Sequence, residues 1–183
     1  MAGSRKKKSD RRFSYLDYQA WPGEERFELI DGVIHDMNAP LRLHQKIVTE
    51  LTVQFGGYLA GKACEVYVAP FDVRLPGSSK KESEIFDVVQ PDISIVCDPK
   101  KLDDKGCLGA PDLIVEVVSK STASRDHIKK RALYQQAGVR EYWVVDPENR
   151  LVHVYKLING FYSGVEIFET AEPIPVGLFP GFT

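Results

Sequence analysis

The sequence predicts one α/β domain in which a mixed β-sheet is flanked by helices. Residues 43–61 and 121–137 have helical periodicity, and the other apolar runs are short enough to be strands. The chain has no internal repeat and no interdomain linker. With 183 residues and 43% hydrophobic content, it is long enough to bury one sizeable core. The predicted strands are residues 26–30, 33–37, 65–69, 71–75, 92–97, 112–118, 140–146, 150–156 and 161–168.

Local signals define the ends of several elements. Ser14 can cap a short helix that continues to about Trp21, where Pro22-Gly23 ends it. Asp31-Gly32 separates the first two strands and supplies the positive φ angles that a type I′ turn requires. The helix over 43–61 has an apolar stripe formed by Ile47, Leu51, Phe55, Tyr58 and Leu59.

Two polar stretches, residues 76–90 and 98–110, are predicted to be long loops. Loops of this length inside a compact domain are commonly functional or mobile. The second long helix begins at Ser121-Thr122, and Gly138 is well placed to end it.

The charge of the chain is unevenly distributed, although the net charge is −2. Residues 1–12 contain six Lys or Arg and one Asp, so the totals of 24 basic and 26 acidic residues leave 18 and 25 for the rest. We interpret residues 1–12 as a disordered basic arm or a vector-derived remnant, and residues 13–183 as the domain. A basic arm can hold phosphates by counterion release, whereas the acidic domain can contact DNA only locally.

Composition also predicts the compartment. No run approaches 18 apolar residues, and no apolar stretch follows the basic N-terminus, so we expect neither a membrane span nor a secretory signal. Cys64, Cys97 and Cys107 are widely spaced and form no Cys-x-x-Cys pair. This pattern argues against a disulfide scaffold or a structural zinc site, and it predicts reduced thiols in a cytoplasmic protein.

Two carboxylates are unusual because each lies in or beside an apolar strand. Asp92 opens one apolar run, and Glu116 lies within the next, on the strand face shared by Ile114 and Val118. An unpaired carboxylate among apolar neighbours is costly, so Glu116 requires a basic side chain, a proton or a metal ion. If the two strands are adjacent, Asp92 could share that metal.

The helix after Ser121 directs a lysine toward the same place. At roughly 100° per residue, Lys130 lies on one face with Leu133, Tyr134 and Ala137, which makes this the inward face. Lys130 therefore points inward beside the C-terminal end of the strand that contains Glu116, where the two side chains can interact.

Two acids on neighbouring strands with a lysine close behind are the groups that a divalent metal ion needs to cut a phosphodiester bond. The structural alternative is an internal Glu116–Lys130 ion pair, or an Asp126–Lys130 helix pair. The chain has no Gly-rich phosphate loop, no Gly-x-Ser-x-Gly elbow and no His-x-x-x-His pair, so these other active-site classes lack support.

An ordered series of short motifs then identifies a known family. These are residues 28–32 (ELIDG), His44, 90–93 (QPDI), 110–119 (APDLIVEVVS), 126–130 (DHIKK), 137–147 (AGVREYWVVDP) and 178–181 (LFPG). From about residue 13 onward, the chain closely resembles the Uma-type restriction-endonuclease domain of the PD-(D/E)XK nuclease superfamily. The resemblance implies a restriction-endonuclease-like core, with a mixed central sheet flanked by helices, and metal-dependent hydrolysis of nucleic acid. DNA is the substrate that we expect.

The resemblance also implies roles for individual residues. Asp92 matches the aspartate of the first motif, and Glu116 matches the acid of the second. The superfamily places a lysine two residues after that acid, but this chain has Val118 there. Lys130 is the expected replacement from the adjoining helix.

On this resemblance, Asp92, Glu116 and the backbone carbonyl of Val117 hold Mg²⁺ or Mn²⁺. Glu28 matches a glutamate that joins the metal site and would be needed for a second ion, and His44 is a companion. Oxygen-rich ligation suits these hard ions better than zinc.

Two other functions are compatible with the sequence. The chain could be a catalytically silent nuclease fold that acts as a nucleic-acid-binding or regulatory module. It could also be a homodimeric structural protein. Its dimer surface would then be supplied by Ile128 and by the strands that contain Tyr142, Trp143, Tyr155, Phe161 and Tyr162. Restriction-like folds often dimerise to cut both strands, so a homodimer alone does not separate these alternatives.

Overall fold

The computed structural model describes residues 11–21, 26–118 and 125–183. The side chains of residues 125–127 are outside this description, and with them the Asp126–Lys130 pair. The predicted helix stop at Pro22-Gly23, the helix start at Ser121-Thr122 and most of the basic arm over residues 1–12 also lie outside it.

The predicted helices and strands occur in the predicted order, together with further short strands that were not predicted. The α-helices are α1 (Tyr15–Gln19), α2 (Arg42–Leu59) and α3 (Arg125–Ala137). The strands are β1 (Phe27–Ile30), β2 (Val33–Asp36), β3 (Glu65–Val68), β4 (Val73–Arg74), β5 (Val88–Val89), β6 (Ile93–Val96), β7 (Leu102–Asp103), β8 (Gly106–Leu108), β9 (Leu113–Val117), β10 (Glu141–Asp146), β11 (Leu151–Ile158), β12 (Phe161–Tyr162) and β13 (Glu166–Glu169).

The central sheet has the strand order β12-β11-β10-β9-β6-β3, and β13 also pairs with β11. Its β9–β10 pair is parallel, whereas β6 and β11 run antiparallel to their neighbours. The prediction of a mixed sheet flanked by helices is therefore confirmed.

Both faces of β9 are covered, because its side chains alternate between two cores. Leu113, Val115 and Val117 pack in a core with α2 and the C-terminal segment. Ile114 packs on the other face in a second core that includes Tyr134 of α3. The predicted division of this strand into two faces is confirmed, and Glu116 lies on the face toward α3.

A second sheet, with the order β2-β1-β5-β4-β8-β7, was not anticipated. The prediction that 76–90 and 98–110 are loops is wrong where they contain β5, β7 and β8. These strands have two or three residues each, which is too short for an alternating pattern to be recognised. They form because the backbone pairs across the chain, as between Val73 and Cys107.

Several local predictions are confirmed. Ser14 caps α1 in a capping box with Asp17. Asp31 and Gly32 have φ angles of 53° and 71°, as the tight hairpin turn requires. Gly138 ends α3 with a φ of 90°. The strand predicted over 161–168 instead divides into β12 and β13.

The prediction of three reduced thiols is wrong. Cys64 and Cys97 form a disulfide, and Cys107 is a buried free cysteine. The β3–β6 register pairs Glu65 with Val96, which makes Cys64 and Cys97 neighbours across the strands although 33 residues separate them. The cytoplasmic expectation loses the support that it drew from reduced thiols. Among the described helices, none is long and apolar enough to cross a membrane.

Candidate active site

Asp92 and Glu116 are brought together by the pairing of β6 and β9. These strands are antiparallel, and Ile93 lies opposite Val115. The next position along each strand therefore places Asp92 beside Glu116. The adjacency that a shared site requires is present.

Glu28 reaches the same place from the second sheet. Residues 90–92 connect β5 of the second sheet to β6 of the central sheet, so the two sheets meet at this link. The side chain of Glu28 is buried, and its Oε1 accepts a hydrogen bond from the backbone N–H of Gln90 at 2.8 Å.

Lys130 of α3 binds two carboxylates at once. Its Nζ lies 2.8 Å from Oε1 of Glu28 and 2.9 Å from Oε1 of Glu116. The hydroxyl of Tyr134, one helical turn further along, donates to the same Glu116 oxygen at 2.7 Å. Only 12% of the Lys130 side chain is exposed, which confirms that it points inward.

Asp92 is held from two directions through one oxygen. Its Oδ2 accepts the backbone N–H of Val117 at 2.7 Å and lies 3.1 Å from Nε2 of His44. His44 lies in the first turns of α2, so the carboxylate of Asp92 is held by groups from both α2 and β9. The other ring nitrogen of His44, Nδ1, is buried without a hydrogen-bond partner among the described residues.

These groups face a single cavity of about 670 Å³. Its lining also includes the start of α2 and the end of β2. Every residue that the sequence analysis named as a site residue lines this cavity: Glu28, His44, Asp92, Glu116, Val117 and Lys130.

Comparison with known sequences identifies the family. The family named Uma2, with the description "Putative restriction endonuclease", matches residues 15–183. The chain belongs to the Uma2 family. The resemblance found in the sequence is thereby confirmed.

Individual relatives agree with the Uma2 assignment. The chain is 26% identical over 147 residues to "Uncharacterized protein slr1290" of Synechocystis sp., a match that covers 79% of this chain and 74% of that protein. A crystal structure from Anabaena variabilis, described as "a putative nuclease belonging to DUF820", superposes with a TM-score of 0.71. It is 20% identical, with 91% of this chain and 90% of that chain covered, and it shows that the two share a fold.

Burial and the close approach of charged side chains determine the electrostatics of the Uma2 site. The pKa of Glu116 is raised to about 7, chiefly by burial. The charge of Lys130 opposes this rise, whereas those of Asp92 and Glu28 add to it. Burial alone would lower the pKa of Lys130, but Glu116 and Glu28 more than offset it and raise this pKa above its ordinary value. Lys130 is therefore a cation that both carboxylates stabilise.

Two neighbours of the carboxylates have raised pKa values as well. The hydrogen bond to Asp92 raises the pKa of His44 and favours the imidazolium form. Burial, followed by the charge of Glu116, raises the pKa of Tyr134 well above its ordinary value. Tyr134 therefore remains a neutral donor to Glu116.

The donor set fits a hard divalent cation by its chemistry. Among the described residues, Oδ1 of Asp92 and Oε2 of Glu116 accept no hydrogen bond, and both are carboxylate oxygens of the kind that Mg²⁺ and Mn²⁺ prefer. Among the described residues, no group of three or more His, Cys, Asp or Glu side chains is arranged so that all of them could bind one metal ion. The ammonium of Lys130 supplies the positive charge between Glu28 and Glu116.

Two contributors were missed by the sequence analysis. It assigned Tyr134 only to the inward face of its helix, although a tyrosine four residues after Lys130 could have indicated a second donor to Glu116. It gave no role to Gln90, because nothing in a linear pattern shows that its backbone N–H donates to Glu28.

Proposed function

We propose that this Uma2 protein is a metal-dependent endonuclease that hydrolyses phosphodiester bonds in DNA. The observation that supports it most strongly is the register of β6 and β9, which brings Asp92 and Glu116 together at one cavity beside Lys130. Two acids buried side by side repel each other, and a site that binds a cation offsets that cost.

In this proposal, Asp92, Glu116 and the backbone carbonyl of Val117 would hold Mg²⁺ or Mn²⁺. Glu28 would join them if a second ion binds. When bound, the ion would lower the pKa of a water molecule and offset charge that builds on the scissile phosphate.

The surrounding groups would then orient and stabilise the reacting atoms. Lys130 would orient the water or stabilise the charge that develops on phosphorus. His44 would fix the orientation of Asp92 through its 3.1 Å contact, and Tyr134 would fix Glu116 through its 2.7 Å hydrogen bond.

The proposed function is tested by cleavage of supercoiled plasmid and of single-stranded DNA in Mg²⁺, in Mn²⁺ and with a chelator. The variants are Asp92→Asn and Glu116→Gln, which keep side-chain size and remove charge. Asp104→Asn is the matched control, because Asp104 is exposed and does not line the cavity. We expect the wild type and the control to cut only with metal, and both site variants to lose cleavage. Cutting that survives both site substitutions would contradict the proposed site.

A second candidate function is a nucleic-acid-binding module without catalysis. It is favoured by Val118 at the position of the superfamily lysine and by the engagement of Lys130 with two carboxylates. Metal-supported binding of DNA by the wild type, without cleavage of any substrate tested, would favour this alternative.

We propose that the working state is a homodimer, because two copies of the chain could cut the two strands of a DNA duplex. Ile128 on α3 is 65% exposed and is one residue that a second copy could cover. Light scattering during size-exclusion chromatography tests this: a molar mass near twice 20.6 kDa is expected, and a monomer at working concentration would contradict it.

A further inference from the structure

Arg26 is a cation at the cavity whose charge no described carboxylate neutralises. Among the described residues that line the cavity, one is an arginine, Arg26, and one is a lysine, Lys130. Lys130 is bound by two carboxylates, whereas the described contacts of the Arg26 guanidinium are with a neutral amide. An anion entering the cavity would therefore find uncompensated positive charge at Arg26.

The orientation of this guanidinium is fixed by a buried glutamine. Oε1 of Gln90 accepts from Nε of Arg26 at 3.0 Å and from its Nη2 at 2.8 Å. The Nε2 of Gln90 is itself held by the hydroxyl of Tyr18 at 3.1 Å and by Oδ1 of Asp72 at 2.9 Å. Because Gln90 is neutral, it orients the guanidinium and leaves its charge available.

Arg26 lines the same cavity as the proposed metal ligands. It directly precedes β1, and its carbonyl continues the β1–β2 pairing by accepting from the backbone N–H of Met37 at 2.9 Å. Side chains two residues apart on an extended backbone share a face, so those of Arg26 and Glu28 lie on one face, about 7 Å apart along the chain. The backbone of the glutamine that holds Arg26 also donates to Glu28. The guanidinium and the carboxylate cluster are thus linked through one buried residue.

We propose that Arg26 binds a backbone phosphate of the nucleic-acid substrate next to the phosphate that is cut. The inference rests on the proposed nuclease function and adds the residue that positions the strand. A guanidinium presents several N–H donors in a fixed plane that matches phosphate oxygens, and phosphate contacts set the register of a nucleic acid on a protein. A local contact of this kind is also what an otherwise acidic domain requires in order to hold DNA.

The test compares Arg26→Ala, Arg26→Lys and the control Lys46→Ala. Lys46 is an exposed cation on α2 that does not line the cavity. Dissociation constants for a fluorescent DNA duplex are measured in Ca²⁺ over a series of KCl concentrations, and KM and kcat for cleavage are measured in Mg²⁺. Thermal melting in the absence of DNA shows whether each variant is folded.

We expect Arg26→Ala to weaken binding and raise KM by about 10-fold, with kcat within about twofold of wild type. The slope of log K against log salt should fall by about 0.9, because one phosphate contact is lost. Arg26→Lys should restore the slope but only part of the affinity, since lysine keeps the charge and loses the planar fork. Lys46→Ala should leave all of these quantities unchanged.

A folded Arg26→Ala variant with wild-type KM and salt slope would overturn the inference while leaving the nuclease proposal intact. A lowered melting temperature with unchanged binding would do the same, because it would show that Arg26 acts only through its contact with Gln90. A wild type that neither binds nor cuts nucleic acid under any metal condition would overturn the proposed function itself, and this inference with it.

Discussion

Lys130 is the residue on which the local electrostatics depend. Its ammonium lies between Glu28 and Glu116, and all three side chains are largely buried. Removing one partner of a buried ion pair leaves an uncompensated charge, which costs more than the pair itself contributes. The stability of the cluster therefore depends on a cation at this position, whether an ammonium or a metal ion.

Replacing Lys130 with methionine should destabilise the metal-free protein by about 3 kcal/mol, because two buried carboxylates lose their shared cation. Urea unfolding measures this change. Lys129→Met is the matched control, since Lys129 is exposed on the same helix and should change stability little. Mg²⁺ should stabilise the Lys130→Met variant more than the wild type, and equal unfolding midpoints for both variants without metal would contradict the expectation.

The stability of the metal-free protein should also depend on the protonation of Glu116. Its pKa is raised from 4.5 to about 7 in the folded chain, first by burial. The folded state therefore holds this proton more tightly than the unfolded state, and the stabilisation that it provides is lost as pH rises from about 4.5 through about 7.

The measurement is the difference in melting temperature between wild type and Glu116→Gln from pH 4.5 to 8.5. The wild type should lose stability relative to the variant over this window, since glutamine does not titrate. At pH 8, Mg²⁺ should raise the melting temperature of the wild type but not of the variant. A difference that is constant with pH would show that Glu116 does not titrate in this range.

At the scale of elements, whether a helix or strand could be predicted depended on how many residues its apolar pattern spans. The strand containing Glu116 and the helix containing Lys130 were predicted with the correct inward faces, because each has enough residues for a period to be recognised. Val88–Val89 was predicted as loop, since a two-residue strand has no period and exists only through partners such as Leu29.

β10 has a role beyond the central sheet, because its first residue anchors the C-terminal segment. Glu141 is 1% exposed, and its carboxylate accepts from Nε1 of Trp143 at 2.7 Å and from the backbone N–H groups of Gly177 and Leu178 at 3.2 and 3.1 Å. This segment continues to Phe179, which is part of the core packed against α2.

Glu141→Ala should therefore destabilise the protein by about 2–4 kcal/mol, because three donors lose their acceptor in a buried environment. Hydrogen exchange should accelerate at the amides of Gly177 and Leu178 before it does so in β9. Glu169→Ala is the control, since Glu169 is exposed on β13. Unchanged protection of these two amides would show that the segment is held by its apolar contacts alone.

At the scale of the whole molecule, the cavity exists because two sheets meet at the link over residues 90–92. Its groups come from β1, α2, the link, β9 and α3, which are spread over about a hundred residues of sequence. Reasoning from periodicity could place Asp92, Glu116 and Lys130 together, because strand and helix faces are local properties. Glu28 and His44 were reached only through the family resemblance, since no local pattern shows which strand of another sheet lies nearby.

The disulfide connects this site to the integrity of the whole chain. Cys64 and Cys97 are 33 residues apart, and the loop that they close contains Asp92 and the link between the sheets. Closing a loop of this length stabilises a protein by about 3–4 kcal/mol in the chain-entropy description, because it restricts the unfolded chain. The cross-link should therefore contribute both to stability and to the placement of Asp92.

Thiol titration of the denatured, non-reduced protein should find one reactive thiol per chain, that of Cys107, and three after reduction. A reductant should lower the melting temperature of the wild type, and a Cys64→Ser/Cys97→Ser variant should melt at that lower temperature with or without reductant. If the reduced protein also cleaves DNA more weakly while it remains folded, the cross-link positions Asp92 as well as stabilising the fold. Three thiols without any reductant would show instead that the chain works with free cysteines, as composition alone had predicted.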